Sequence, residues 1–434
     1  MQRDVLRPHA LSLICAFVVL AFYGTARAGD WPGWRGPTGC GYADEKDLPL
    51  AWDGKTGEGV LWKASLKATT GHSSPIVWGD RMFITTAEAQ TPEQQKNREI
   101  PEHHFACYQA SDGKLLWRTR VPHGPHPQRF CIYAVPTPVT DGKAVYCWFG
   151  SGVIAAVDFD GKLLWRHERG DDSWHVPDKP MFMPGGGPAS STVLYQDTVI
   201  LLAEPKEGKG FLQALDKKTG EVKWEQKRPK GNWGSYGNNT PLLADVKGKP
   251  QLIVLAPFVL QGLNPADGTP IWWCTAAGFC CSPIHVSGLI YADKDNGPAL
   301  LADATGVGDV TATHMKWQLP KVAGQFSSAV VSGEYLYRLS PPGVITCRKL
   351  ASGEEVYKER LEKVNTHPSP IATADGRIYL VSTTVSHVVK AGPKFEVLGG
   401  GNLGGQPGNG SSPAVANGRI FVRDFNFLYC LGKK

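Results

Sequence analysis

The stretch Ala156-Val157-Asp158-Phe159-Asp160-Gly161-Lys162-Leu163-Leu164-Trp165 contains the unit on which the whole chain is organised. It reads as an apolar strand, an Asp-Gly turn, and a second strand whose Trp stands four residues after the Gly. The same spacing recurs at Gly113/Trp117, Gly220/Trp224 and Gly268/Trp272, with Tyr replacing Trp at Gly353/Tyr357 and Trp317 marking a degenerate copy. The residue before each Gly is Asp112, Asp160, Thr219, Asp267 or Ser352, all suited to the backbone of a tight turn.

A second element alternates with the first. It is a Ser or Thr, usually followed by Pro, then a short apolar run. It occurs at Ser74-Pro75, Thr137-Pro138, Ser191-Thr192, Thr240-Pro241, Ser282-Pro283, Ser328-Ala329, Ser369-Pro370 and Ser412-Pro413. The steps are roughly 40 to 60 residues, the length of one four-stranded propeller blade. Each start leads into a polar turn and a second strand, as in Gly79-Asp80 before Met82, or Asn417-Gly418 before Ile420. Two strands after the Ser/Thr and two around the Gly turn make four. The eight starts therefore predict an all-β, eight-bladed β-propeller of four-stranded antiparallel blades spanning 29–434. Pro cannot donate to a ladder, so it suits the strand that borders the central channel.

The last copy ends at Lys434 without its Trp strand, while Gly59-Val60-Leu61-Trp62 is a Trp strand with no start before it. These two defects are complementary. Val60 to Leu66 is expected as the outer strand of the last blade, closing the ring and covering an edge.

Composition agrees. The chain has Gly 50, Pro 33 and Trp 14 in 434 residues, with 42% hydrophobic residues and only 20% charged ones. That is rich in turns and in strand formers, and far from a disordered or collagen-like composition. A formal charge of +6 without a basic cluster argues against nucleic acid as partner. Arg3 and Arg7, the apolar run Leu11 to Tyr23, and Ala26-Arg27-Ala28 read as a signal peptide over 1–28 cleaved after Ala28. The mature protein is therefore expected to be periplasmic or secreted, not membrane-spanning, and monomeric. Beyond Cys15, the cysteines are Cys40, Cys107, Cys131, Cys147, Cys274, Cys280, Cys281, Cys347 and Cys430, an odd number with no zinc-site spacing.

The segments Ala156 to Trp165 and Ala214-Leu215-Asp216-Lys217-Lys218-Thr219-Gly220 resemble the pyrroloquinoline-quinone-like propeller repeat. Trp31-Pro32-Gly33-Trp34-Arg35-Gly36-Pro37 and His72-Ser73-Ser74-Pro75 are similar to segments of exported bacterial proteins of that class, common in planctomycetes and likened to the outer-membrane assembly factor BamB. The resemblance implies an exported, non-enzymatic propeller that acts as a protein-binding or assembly scaffold in the cell envelope, with no cofactor. It also implies an alternative, because the same repeat serves quinone-dependent alcohol or sugar dehydrogenases. Those hold the quinone in the central funnel between a Trp floor and adjacent cysteines, with calcium or a lanthanide bound by acidic and amide side chains. Cys280-Cys281 is the one match to that arrangement.

The residues just before each Ser/Thr start should face the channel. The candidates are His72, Ser73, Ser190, Asn238, Asn239, Cys280, Cys281, Ser327, His367 and Ser411. They form a polar, uncharged set able to hold a small neutral ligand, which adds a third reading, a carbohydrate-binding protein. No catalytic residue and no metal ligand is assigned. His103-His104 beside Glu99 and Glu102 is expected in a solvated loop of the first blade. Asp293, Asp295, Asn296 and Gly297 mimic a calcium loop but lack its downstream acid, so a hairpin turn is expected. Asp171, Asp172, His175 and Asp178 before Gly185-Gly186-Gly187 are expected in a long crossing loop. Gly399 to Gly410 has no Lys-Ser/Thr after it and is not a phosphate cradle.

Overall fold

The computed structural model describes residues 29–66, 69–126, 133–169, 190–203, 210–228, 239–256, 258–276, 281–294, 297–324, 326–405 and 410–433. The expected signal peptide, the long loop from Asp171 to Gly187, and Cys131, Asn238, Cys280, Asp295 and Asn296 lie outside them. The fold is an all-β propeller. Its described strands form eight sheets, each built around four antiparallel strands.

The second sheet shows the pattern. Val139–Thr140 borders the channel, and Ala144–Phe149, Val153–Asp158 and Leu163–Glu168 follow outward in sequence order. The two middle strands alternate no polar face with their apolar one; both are buried throughout except at Asp158, as sheets packed on both sides require. The outer strand carries the bulge: Val157 and Ala156 pair with Leu163 and Trp165, so Leu164 is skipped and the Trp ring is re-aimed. The same irregularity precedes Trp117, Trp224, Trp272, Trp317 and Tyr357.

The re-aimed rings pack on the next sheet. A Cβ on Gly161 would lie 2.7 Å from the Trp117 ring, one on Gly220 2.5 Å from Trp165, and one on Gly268 2.8 Å from Trp224. Trp117 Nε1 donates to Phe159 O at 2.9 Å and Trp165 Nε1 to Lys217 O at 2.7 Å. Trp317, expected to be degenerate, is regular: it packs on Gly353 and donates to Leu350 O at 2.8 Å. The irregular position is instead Trp272, which is fully buried and donates to Gln251 of its own sheet, leaving Trp273 exposed.

Val60–Ser65 pairs antiparallel with Phe427–Leu431, outside Arg419–Arg423 and Ala414–Ala416. Trp62 in that strand packs on Gly113 and donates to Ala110 O at 3.0 Å, as the other outer-strand Trp residues do toward their neighbours. The seventh sheet is clamped on both edges by the chain's beginning, with Tyr42–Ala43 parallel to Ile371–Thr373 and Ala51–Asp53 parallel to Val397–Asn402. The glycine run there is a strand: a Cβ on Gly401 would sit 2.1 Å from Trp52 O.

Two expectations fail. His103–Gln109 is the third strand of the first sheet, so His103 and His104 are buried strand residues and not a solvated loop. The first blade's extra length lies before them, around the five-residue helix Pro92–Lys96. Asp293 ends the strand Leu289–Asp293 with its carboxylate buried against Arg338, Nε to Oδ2 2.7 Å, and accepts from Tyr291 OH at 2.7 Å. Lys294 N donates to Pro298 O at 2.9 Å, and the chain continues into the antiparallel strand Ala299–Asp303.

The Trp–Gly packing sets a measurable contrast. Gly161 and Gly248 both adopt left-handed backbone, φ 88° and 79°, but only Gly161 faces a ring; Gly248 has nothing within 4 Å of its missing Cβ. Gly248→Ala should cost about 1 kcal/mol from backbone strain alone. Gly161→Ala should cost roughly 1–3 kcal/mol more, from displacing Trp117. Equal urea midpoints for the two variants would refute the packing role.

Candidate functional site: the central channel

The inner strands begin at the singled-out Ser and Thr residues, and these are joined in a circle. Ser74 N donates to Thr137 Oγ1 at 3.0 Å, Thr137 N to Ser191 Oγ at 3.0 Å, Ser191 N to Thr240 Oγ1 at 3.0 Å, and Thr240 N to Ser282 Oγ at 2.8 Å. Ser282 N donates to Ser328 Oγ at 2.9 Å, Ser328 N to Ser369 Oγ at 3.0 Å, Ser369 N to Ser412 Oγ at 3.0 Å, and Ser412 N returns to Ser74 Oγ at 2.9 Å. The main-chain donors on the channel edge have no strand to pair with, and the neighbouring hydroxyl supplies the acceptor. Where Pro follows, the next residue has no donor left to satisfy.

On the far side of this circle the chain's beginning closes the channel. Trp31 exchanges backbone bonds with Val77 at 2.8 and 2.9 Å, Thr140 N donates to Pro32 O at 2.8 Å, Cys40 Sγ accepts from His285 N at 3.4 Å, and Ala372 N donates to Gly41 O at 2.8 Å. Cβ atoms on Gly33 and Gly39 would touch Val139 and Leu242. Residues 31–41 thus run across the ends of the inner strands. This segment floors the channel on that side, opposite the loops between blades.

The described members of the expected set stand one or two positions before the circle, and most already have partners. Ser73 Oγ bonds both Thr85 N and Thr85 O, at 3.1 and 3.0 Å. Ser190 Oγ donates to Asn239 O, Cys281 Sγ to Ser327 O at 3.5 Å, Ser327 Oγ to Leu339 O at 3.2 Å, and Ser411 Oγ to His72 O at 3.0 Å. The Ser190, Cys281 and Ser411 contacts tie adjacent blades together, whereas Ser73 and Ser327 bond the second strand of their own sheet. Asn239 Nδ2 donates to Leu255 O at 2.6 Å while its Oδ1 is buried without a partner.

The two histidines stand higher. His72 Nδ1 accepts from Gly410 N at 3.3 Å and its ring meets Phe425 edge-on at 4.9 Å. His367 stacks on Phe326 with centroids 5.0 Å apart and planes 5° from parallel. Burial, then Arg423 and His367, hold His72 down to about 4, and burial lowers His367 as well. Both rings are therefore neutral at pH 7.

The sequence reading of the channel as uncharged missed Arg35. Its Nη2 donates to Cys40 O and to Ala329 O, both at 2.6 Å, which brings the guanidinium to the level of the hydroxyl circle. Its membership in the Trp31–Pro37 motif was the only signal, and nothing in that motif says which way the side chain points. A second buried cation, Arg423, bonds Ser73 O and Thr85 O at 2.9 Å and pins the eighth sheet to the first.

A quinone dehydrogenase would need acidic and amide donors for its metal. Among the described residues no three His, Cys, Asp or Glu side chains converge on one point. Six thiols, Cys40, Cys107, Cys147, Cys274, Cys347 and Cys430, are buried and unpaired. No helix among the described residues is long and apolar enough to cross a membrane.

Residues 51–252 match the family model described as outer membrane protein assembly factor BamB. Among curated proteins none matches the chain in sequence. Among solved structures, BamB from Moraxella catarrhalis superposes with a TM-score of 0.60 at 13% identity, covering 86% of this chain and 97% of that one. A europium-containing methanol dehydrogenase gives 0.54 at 13% identity, covering 94% and 98%. The quinohemoprotein alcohol dehydrogenase of Comamonas testosteroni gives 0.52 at 16% identity, covering 94% and 82%. At these identities the likeness concerns the fold.

The buried His72 sets a pH dependence. Its folded pKa of about 4 lies below the ordinary 6.5, so between those values the unfolded chain takes up a proton that the native state refuses. Stability must therefore fall as pH drops from 6.5 toward 4. His72→Asn, which keeps an acceptor for Gly410 N, should flatten that slope by up to about 1.4 kcal/mol per pH unit. Urea midpoints measured across this range check it; an unchanged slope would contradict the burial of His72.

Proposed function

Residues 51–252 carry the pyrroloquinoline-quinone-like, BamB-type repeat, and from that premise we propose that the chain is an exported scaffold of the cell envelope that binds a protein on its open face. On this proposal each sheet is one blade, eight in a single ring over 29–434, closed by Val60–Ser65, which pairs with Phe427–Leu431, as the outer strand of the last. The signal peptide over 1–28 would deliver it to the periplasm or beyond, as a monomer without a cofactor.

The observation that carries this reading is the difference between the two faces. Residues 31–41 cover the inner-strand ends on one face. The other face has the loops between blades and the turns between second and third strands, and there Phe326 and Phe258 are 45% and 51% exposed. Phe326 stacks on His367. Exposed aromatic side chains near a rim are frequent anchors of protein interfaces. The channel hydroxyls, by contrast, are occupied in holding blades together, which leaves few donors for a sugar.

Photo-crosslinking residues placed at Phe258, Phe326 and, as a control, the exposed Lys143 on the covered face would test the proposal in the native envelope. One discrete protein adduct from the two Phe positions and none from Lys143 is expected. Equal adducts from all three positions would overturn it. So would saturable binding of the quinone with calcium at tens of micromolar, accompanied by dye-linked alcohol oxidation.

A further inference from the structure

Arg35 is a buried cation without a buried anion. The residue is 3% exposed, and its Nε and Nη1 have no hydrogen-bond partner among the described residues. Its two protein acceptors are main-chain oxygens, both reached by Nη2, and its remaining contact is the Trp34 ring 5.7 Å away. No described carboxylate acts on it; the acidic groups that do are the thiols of Cys40 and Cys281. Burial pushes the Cys40 thiol up, so that thiol stays protonated and neutralises nothing at neutral pH. Burial also lowers Arg35 itself, to about 10, which still leaves it charged.

The backbone is bent to place this side chain. Arg35 has φ 63°, the left-handed region that a non-glycine residue adopts only against strain. Glycines flank the segment at 33, 36, 39 and 41, so the one left-handed position given to a long side chain is the one whose side chain enters the funnel floor. A Cβ on Gly41 would lie 2.5 Å from Arg35 Nη2 and 3.0 Å from Pro370 O. The guanidinium therefore sits beside Ala329 and Pro370, each one residue past a member of the hydroxyl circle.

Those members, Ser328 and Ser369, add donors. Each oxygen already accepts a main-chain amide, from Ser282 and Ser328 respectively. Each hydroxyl hydrogen has no acceptor among the described residues. Three unused guanidinium N–H donors, one on Nε and two on Nη1, and the neighbouring O–H groups, shielded from bulk water and lacking a carboxylate, form a donor-only, positively charged environment. A buried charge of this kind is tolerated when something of opposite sign accompanies it.

We propose that the floor of the funnel is an anion site, in which a small monovalent anion, a halide or a simple carboxylate, is bound by Arg35 Nε and Nη1 with the hydroxyls of Ser328 and Ser369. The bound anion neutralises the segment that closes the channel and so locks residues 31–41 onto the inner strands. The site stands apart from the exposed aromatic face and does not depend on what that face binds.

The test uses the full mature chain, with sodium gluconate exchanged for sodium chloride, bromide or formate at constant ionic strength. The melting temperature should rise saturably with chloride, bromide or formate, and the halide and formate arms distinguish the two kinds of anion. In Arg35→Met, which keeps the apolar stem, this anion-specific shift should be lost. Crystals of the wild type soaked in bromide should give an anomalous peak within hydrogen-bond distance of the guanidinium, a readout that stands if Arg35→Met does not fold. Absence of both an anion-specific shift and a bromide peak in the wild type would overturn the site, with water or a chain carboxylate as the occupant. An unchanged shift in Arg35→Met would overturn the assignment to Arg35.

Discussion

Each inner strand presents a main-chain N–H toward a channel where no strand can receive it. The chain answers by placing a hydroxyl on the next blade at 2.8 to 3.0 Å, eight times in succession, until Ser412 donates back to Ser74. One residue type serves as donor through its backbone and acceptor through its side chain, so the motif is self-complementary under rotation. Loss of one hydroxyl would leave a buried amide unsatisfied, at about 1–3 kcal/mol. Because every link supports the next, the circle fixes the radius and the relative height of all the blades.

The rest of the architecture follows from that fixed radius. With inner strands held at constant height, outer strands fan apart, and the gap between them must be filled by large flat side chains. The bulge-aimed Trp rings do this against glycine turns that have no Cβ to obstruct them, with Gly113, Gly161, Gly220, Gly268 and Gly353 each receiving a ring. The circle also leaves an open bore, and the chain's beginning crosses it. The same first residues floor the funnel, clamp both edges of the seventh sheet and pair with the eighth, so one continuous stretch completes three separate jobs. The exposed aromatics Phe258 and Phe326 lie on the face opposite the crossing segment.

Much of this was legible in the residues. The Ser/Thr-Pro starts and Gly-x-x-x-Trp turns are local, repeated, and each chemically necessary, so their spacing revealed the blades and the channel edge. The site was legible only in part. Among the expected channel residues, Ser190, Cys281 and Ser411 bond groups of the neighbouring blade, and no local pattern announces that. Arg35 meets Ala329 across 294 residues of sequence, and Asp293 meets Arg338 across 45, so both were invisible. Asp293 was misread because acids and amides before a glycine look like a turn whichever way the first carboxylate faces. His103 and His104 were misread because the first blade's insertion lies before their strand and not around it.

Hydrogen exchange at the amides of Ser74, Thr137, Ser191, Thr240, Ser282, Ser328, Ser369 and Ser412 tests most directly whether the circle is one cooperative unit. The measurement compares the mature chain with a form lacking residues 29–66. The account predicts that in the mature chain all eight exchange only by global unfolding, at a common rate, and that removing the closing segment lowers protection at all eight together. Ring amides of the second to sixth blades that keep full protection in the truncated form, or that exchange at unrelated rates in the mature one, would contradict it.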